Sequence, residues 1–349
     1  MAVSFDTSEH AEPGAGAALP RRAHRVLGSP GLRLAGRRLL AALPVLWGVT
    51  LLTYVVMNLL PGDTAQILLG ANATPAEIRQ LSVQLHLNEP FWVRYGIWLG
   101  GVLHGNLGTS LSSGENVTTI LGARLPVTAE LLLYAFVASI VLAVLLDVLA
   151  ARKPNGIADR FSMTVSMMGL SIAPYVLAPV LVYFFAIKLN WFPAIGYTPL
   201  SQNPAENIRS LTLPAAAIGF PLFAVYTRLL RADIVEQMQR EDYIVTARAK
   251  GVPPWRILIR HALHNSLFGL ITLVALNLGT LIGAAAIIEP IFSLPGVGAI
   301  LIQSINDHDV PVIEGIVVVF GVVVVVANLA ADLLYAALDP RIRHERSAS

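Results

Sequence analysis

Residues 39–60 read LLAALPVLWGVTLLTYVVMNLL, a run of 22 residues without one charged side chain. The hydrocarbon core of a bilayer is about 30 Å thick, so a helix needs roughly 20 apolar residues to cross it. The run therefore predicts a transmembrane helix. It is too long for the apolar region of a signal peptide, and no small-residue cleavage site follows it.

Five further stretches share this character, which predicts an all-α polytopic membrane protein with six transmembrane helices. The six predicted spans cover residues 39–60, 131–151, 161–187, 211–230, 266–288 and 315–337. The fourth is short, and Pro214 and Pro221 are expected to break it. Any one stretch alone could be a buried core helix, but six in one chain exclude a soluble fold.

The composition of the chain is independent evidence against a soluble protein. Of its 349 residues, 55% are hydrophobic and only 13% are charged, against about 25% charged in a typical soluble domain. The mean hydropathy is +0.66. This charge is too sparse to cover a soluble protein's surface, which argues against a soluble enzyme, a disordered chain and a nucleic-acid-binding domain.

The basic residues predict the orientation of the chain. Nineteen of the 24 lysines and arginines fall on the side that would hold both termini, and positive charge marks the cytoplasmic side. Both termini are therefore expected in the cytoplasm. The predicted organisation is a disordered cytoplasmic tail (1–36), a transmembrane domain (37–343) with an outer loop (61–126) and a cytoplasmic loop (231–265), and a C-terminal tail (344–349).

Recognisable catalytic motifs are missing from the sequence. It has no cysteine, no G-x-x-x-x-G-K-[ST], no G-x-S-x-G and no H-E-x-x-H, so we expect neither nucleotide hydrolysis nor a metal site in this chain. A membrane-embedded enzyme remains an alternative without any nucleophile to support it. A secondary transporter is also open, but the acidic residues near the spans, such as Asp147 beside Arg152 and Lys153, lie at span ends rather than at mid-depth.

The sequence of the cytoplasmic loop predicts two short helices separated by residues that end a helix. Gly251 suits the position after a helix end, and the pair Pro253–Pro254 prevents continuation. Small Ala247 and Ala249 alternate with Arg248 and Lys250, a pattern that favours a short helix fitting a groove of another protein. The alternative is an ordinary loop whose basic residues only follow the positive-inside rule.

Mild polar groups within the spans are candidates for lining a path across the membrane, namely Ser171, Asn277 and Asn328, with Pro174 as a bend that a gate could use. Hydrogen bonding between helices is the competing role for each polar side chain. Outside the spans, residues 307–309 (Asp-His-Asp) form a compact cluster that could touch a ligand, or could be a solvated loop.

Several motifs together resemble the permeases of ABC importers of the dipeptide/oligopeptide (peptide/nickel) group, and in particular their B subunits. The cytoplasmic pair EDYIVTARAKG and HALHNS is similar to that group's coupling loop. The matching segments are 241–251, 261–266, 60–63 (LPGD), 106–110 (NLGTS), 124–128 (RLPVT), 289–298 (EPIFSLPGVG) and 338–341 (LDPR). They occur in family order across residues 37–343, although Asp147 stands where a small residue is usual.

The resemblance implies a type I importer permease in the inner membrane that forms half of a translocation path for peptides. It implies a homologous second permease, two ATP-binding subunits that use ATP and Mg, and an extracytoplasmic peptide-binding protein. Nickel, glutathione or haem remain alternative substrates. The implied coupling residues are Asp242, Tyr243, Thr246, Ala247, Arg248, Ala249, Lys250 and Gly251. The implied docking residues for the binding protein are Asp63, Glu289, Asp307 and Asp309.

Overall fold

The computed structural model describes residues 30–59, 73–84, 88–153 and 156–338. All named elements in these ranges are helices, and the single β-type contact there is an isolated bridge between Thr109 and Asn116. The all-α prediction is therefore confirmed for the part of the chain that is described. Asp63 and most of the two predicted tails lie outside it.

Twelve labelled helices follow one another along the described ranges. They are α1 (Pro30–Leu59), α2 (Pro75–Gln84), α3 (Phe91–Leu103), α4 (Val117–Arg152), α5 (Ile157–Ser171), α6 (Pro174–Leu181, continued by the π-helix Val182–Lys188), α7 (Pro204–Arg240), α8 (Asp242–Ala249), α9 (Pro254–Ile257, continued by the π-helix Leu258–Leu263), α10 (His264–Ile291), α11 (Val297–Asn306) and α12 (Val310–Leu338). Residues 30–36 belong to α1, so this part of the predicted disordered tail is helical.

Four helices among the described residues are long and apolar enough to cross a membrane: α1, α4, α7 and α12. The α5–α6 pair adds a fifth if it is one span, although its two halves meet at an angle of 110°. The predicted fifth stretch, residues 266–288, lies within the 28 residues of α10. The described residues thus contain four or five candidate spans by length and composition.

The helix break caused by proline lies in a different stretch from the one predicted. Pro214 and Pro221 lie inside α7, which continues unbroken for 37 residues, so the expected break in the fourth stretch is wrong. Neighbouring helices pack closely around α7 and offset the loss of single hydrogen bonds. The break occurs in the third stretch, where Ile172 and Ala173 are extended. A residue before proline avoids helical geometry, and Pro174 then opens α6 at its first position.

The core is organised around α7, which packs against α4, α5 and α10. Its inward side chains include Ile218, Tyr226 and Leu230, all buried. Close approach depends on small residues: a Cβ on Gly219 would lie 2.9 Å from the carbonyl oxygen of Ala135 in α4. Such contacts stabilise helix pairs in lipid, where dispersion and close packing replace the hydrophobic effect between helices.

The start of α2 is closed by a capping box formed by Thr74 and Glu77. The Thr74 amide and hydroxyl both donate to Glu77 Oε2 at 2.8 Å, and the Glu77 amide donates back to Thr74 Oγ1 at 3.3 Å. Hydrogen bonds from the Thr74 amide and then from its hydroxyl lower the pKa of Glu77. The box is therefore complete at neutral pH and weakens as the pH falls through that lowered value.

Replacing Gly219 by alanine is expected to destabilise the bundle. The added methyl would meet the backbone of Ala135, which cannot rotate away. Overpacking of this kind costs about 1–3 kcal/mol, so the unfolding temperature of the purified protein should fall in a thermal melt.

Gly279→Ala in α10 is the matched control, because nothing lies within 4 Å of the position of its added methyl. Alanine there should leave the melting temperature unchanged or raise it, since it favours a helix over glycine. Equal melting temperatures for Gly219→Ala and the wild type would contradict the packing role of Gly219.

Candidate functional site

The cytoplasmic loop contains a helix of eight residues, α8, between the end of α7 and the start of α9. Gly251 has a φ of +75°. Its amide donates to the Arg248 carbonyl at 2.9 Å, and the Val252 amide donates to the Ala247 carbonyl at 3.1 Å. This pair of bonds is a Schellman motif, in which glycine avoids the steric penalty of the left-handed conformation. The prediction of a helix ended by Gly251 is confirmed.

One face of α8 packs inside the protein. Ile244 and Ala247 are buried against Ile257 of α9, with Met238 and Val252 at the edge of the cluster. Ala247 is only 9% exposed, so its small size serves internal packing. Among the small residues predicted to take part in coupling, the structure thus places Ala247 in internal packing, whereas Ala249 and Gly251 are exposed.

The opposite face of α8 is open. Its exposed coupling residues are Asp242, Thr246, Arg248, Ala249 and Lys250. Two large apolar side chains that the sequence analysis did not select lie beside them: Val245 is 59% exposed and Trp255 is 57% exposed. The sequence could have indicated both residues, because large apolar side chains are unusual in a polar loop. The face combines apolar contact area with charge, as protein interfaces do.

Tyr243 joins α8 to two long helices at once. Its hydroxyl donates to Gln237 Oε1 at the end of α7 and accepts a hydrogen bond from Asn265 Nδ2 of α10 at 2.8 Å. Arg248 adds a bond to the chain of α7 through the Met238 carbonyl at 3.0 Å. Hydrogen bonds thus join α8 both to α7, which precedes it, and to α10, which follows α9.

At the other end of the bundle, Glu289 is fully buried rather than presented to a partner. Its carboxylate accepts hydrogen bonds from Thr128 Oγ1 of α4 at 2.6 Å and from the Ala299 amide at 3.0 Å. Thr128 Oγ1 in turn accepts from the Val297 amide at 2.8 Å. The carboxylate of Glu289, a residue of α10, thus lies at the amino end of α11, where a helix favours negative charge.

Asp309 is also used internally. Its carboxylate accepts four hydrogen bonds, from the hydroxyls of Ser110 and Ser112 and from the amides of Leu111 and Ser112, at 2.5–3.2 Å. Glu289 and Asp309 thus both bind other parts of the same chain, and their docking to a binding protein stays a prediction. Asp307 is exposed, and Asp63 lies outside the described residues.

A cavity of about 330 Å³ opens beside Asp309, between the start of α4, α11 and α12. Its lining is mixed in charge: Glu115 and Asp307 are exposed, and Arg124 is half-buried. The volume lies at the lower end of the range for small-molecule pockets. The cavity collects parts of three motifs that are far apart in the sequence, 106–110, 124–128 and 307–309.

The residues expected to line a path do not converge on one described cavity. Ser171 Oγ donates to the Met167 carbonyl at 3.0 Å, and Asn277 Nδ2 donates to the Leu273 carbonyl at 2.9 Å. Each of these side chains is thus satisfied by its own helix. Pro174 opens α6 after the 110° bend, and Asn328 is exposed on α12.

The sequence analysis missed the burial of ionisable side chains where α4, α5 and α7 meet. Arg231 of α7 makes an ion pair with Asp159 of α5 at 2.6 Å. Asp147 of α4 is 1% exposed and accepts from Ser162 Oγ at 3.2 Å, so it points into the bundle rather than toward Arg152 and Lys153. No group of three or more potential metal ligands occurs among the residues described.

Comparison with known families decides what these features belong to. The family model for the binding-protein-dependent transport system inner membrane component matches residues 135–344, and the model for its N-terminal region matches residues 31–132. The chain belongs to this family. It is a multi-pass inner-membrane permease component of a larger transport system.

Curated relatives of this permease span nearly the whole chain. A putative peptide transport system permease of Brucella abortus is 36% identical over 88% of this chain and 98% of its own. A dipeptide transport system permease of Alkalihalophilus pseudofirmus is 36% identical over 90% of this chain and all of its own. An oligopeptide transport system permease of Bacillus subtilis is 35% identical over 88% of this chain and 98% of its own.

Replacing Glu289 by glutamine tests the internal role of this carboxylate. The amide group of glutamine has one acceptor, so a donor would face the Thr128 hydroxyl or the Ala299 amide. Loss of a buried hydrogen bond to a charged group costs about 1.5–3 kcal/mol, and a thermal melt of the purified permease should shift downward.

Glu115→Gln, at an exposed position of the same end, serves as the control and should melt like the wild type. A Glu289→Gln variant that melts like the wild type but no longer binds a partner would contradict the internal role and favour Glu289 as a docking residue.

Proposed function

We propose that this permease forms half of the translocation path of an ATP-driven importer of peptides. The observation that carries the proposal is α8, an eight-residue helix fixed to α7 and α10 by one face and exposed by the other. A helix held in this way passes on any push delivered to its exposed face. The names of the relatives, all peptide permeases, support peptides over nickel, glutathione or haem.

The membrane arrangement that we propose has six spans and cytoplasmic termini. The four long apolar helices, the bent α5–α6 pair and α10 supply the six crossings. The nineteen basic residues on the α8 side then lie in the cytoplasm. Ser171, Pro174, Asn277 and Asn328 are the proposed path residues of this half.

The proposed partners divide between the two faces of the membrane. Two ATP-binding subunits hydrolyse ATP with Mg in the cytoplasm, and one of them receives α8 in a groove. A homologous permease completes the path. An extracytoplasmic peptide-binding protein docks at the outer end, where Asp307 and Glu115 at the mouth of the 330 Å³ cavity offer accessible negative charge. This chain hydrolyses nothing itself.

Val245→Asp should separate this permease from its ATP-binding subunits. Val245 is an exposed apolar residue on α8, and burying a new carboxylate against a partner costs several kcal/mol unless it is paired. We expect the variant to insert normally, to lose most of the co-purifying ATP-binding subunit and to lose peptide uptake in reconstituted vesicles.

Ile157→Asp is the matched control, because Ile157 is an exposed apolar residue at the start of α5, a helix that packs mainly against α4 and α7. It should retain the ATP-binding subunits. The coupling proposal fails if Val245→Asp also retains them and transports peptide at the wild-type rate. If the wild-type complex took up nickel but not peptide, nickel would be the substrate in place of peptides.

A further inference from the structure

Three charged side chains meet in the interior where α4, α5 and α7 approach the cytoplasm. Arg231 of α7 donates from Nε to Asp159 Oδ1 at 2.6 Å and from Nη2 to Asp159 Oδ2 at 2.8 Å. Both atoms of the Asp159 carboxylate are engaged, and this residue is buried. A two-bond ion pair of this geometry is the strong form of arginine–carboxylate contact.

Asp147 of α4 lies beside this pair without a matching partner. Its Oδ1 accepts one hydrogen bond, from Ser162 Oγ at 3.2 Å, and its Oδ2 is buried with no hydrogen bond. An unsatisfied buried polar atom is costly, the more so when the group is charged. An arrangement in which this carboxylate is paired with a cation would relieve that cost.

The group that can supply this pairing is Arg231. Asp147, Asp159 and Arg231 line one internal cavity of about 20 Å³, which is room for a single water molecule. The guanidinium charge acts on both carboxylates. It carries five N–H donors in a planar fork, and the ion pair with Asp159 uses two of them.

The location of Arg231 gives this exchange a consequence for transport. Arg231 lies on α7 shortly before the helix ends at Arg240, and α8 follows at once. We propose that Arg231 is a positioning residue that exchanges its guanidinium between Asp159 and Asp147 as α7 shifts, with Asp147 as the second acceptor. The two pairings define two positions of α8. The proposal rests on the proposed function for the identity of this movement.

Two substitutions separate this exchange from a merely structural ion pair. Asp147→Asn removes the charge of the second acceptor, so the arrangement with Arg231 on Asp159 should gain population. Ser162→Ala removes the hydrogen bond that holds Asp147, so the second arrangement should gain. A static Arg231–Asp159 pair predicts no change for either variant.

The readout is the distance between the ends of α4 and α7 in the assembled complex. Spin labels on Lys153→Cys and Arg240→Cys suit pulsed electron paramagnetic resonance, since both positions are exposed and the chain has no cysteine of its own. Measured in lipid nanodiscs without nucleotide and with ATP plus vanadate, the wild type should show two distances. The two variants should change their ratio in opposite directions, by about 5-fold or more each.

The exchange is overturned if the ratio in both variants equals that of the wild type, or if both variants shift it in the same direction. A thermal melt of each variant identifies misfolding, and Asp147→Ser, which removes the charge with a smaller side chain, must then reproduce the Asp147→Asn shift. Peptide uptake is scored separately on the wild-type complex. Two distances without peptide uptake would refute the proposed function and leave the exchange standing. Peptide uptake with one fixed distance would refute the exchange and leave the proposed function standing.

Discussion

The close packing of α7 against α4, α5 and α10 is the contact on which the rest of this permease depends. Lipid tails are as apolar as leucine, so helices in a bilayer associate through close van der Waals contact and a few buried polar bonds. Gly219 against Ala135 and Gly169 against Ala224 provide that closeness on two sides of α7. Because α7 is one continuous helix, its core contacts and its end at Arg240 belong to the same element.

The proposed coupling surface depends on the continuity of α7. α7 ends at Arg240, and α8 begins at Asp242 with Tyr243 bonded to both α7 and α10. The apolar residues Ile244, Ala247 and Ile257 fill the space beneath α8. A force on its exposed face therefore reaches two long helices without first deforming a loop. This is the geometry expected of a component that receives movement from another subunit and carries no nucleotide-binding motif of its own.

The class of the protein and several local features were predictable because their causes are local. Uncharged runs such as residues 39–60 indicate membrane helices, and Gly251 marks the end of α8. Features that depend on distant residues were not predictable. Glu289 accepts a hydrogen bond from Thr128, and Asp309 accepts one from Ser110, so both carboxylates are engaged within the chain. The helix-breaking tendency of proline likewise gave a wrong prediction at Pro214 and Pro221, because packing against the surrounding helices keeps α7 continuous.

The measurement that tests the central claim most directly is the coupling of ATP hydrolysis to uptake in a complex that contains Tyr243→Phe. This substitution removes the hydroxyl that joins α8 to α7 and α10 and leaves the exposed face of α8 intact. The account predicts normal co-purification of the ATP-binding subunits and normal basal hydrolysis, with peptide uptake per ATP lowered by about 5-fold or more. An unchanged number of peptides transported per ATP would contradict it.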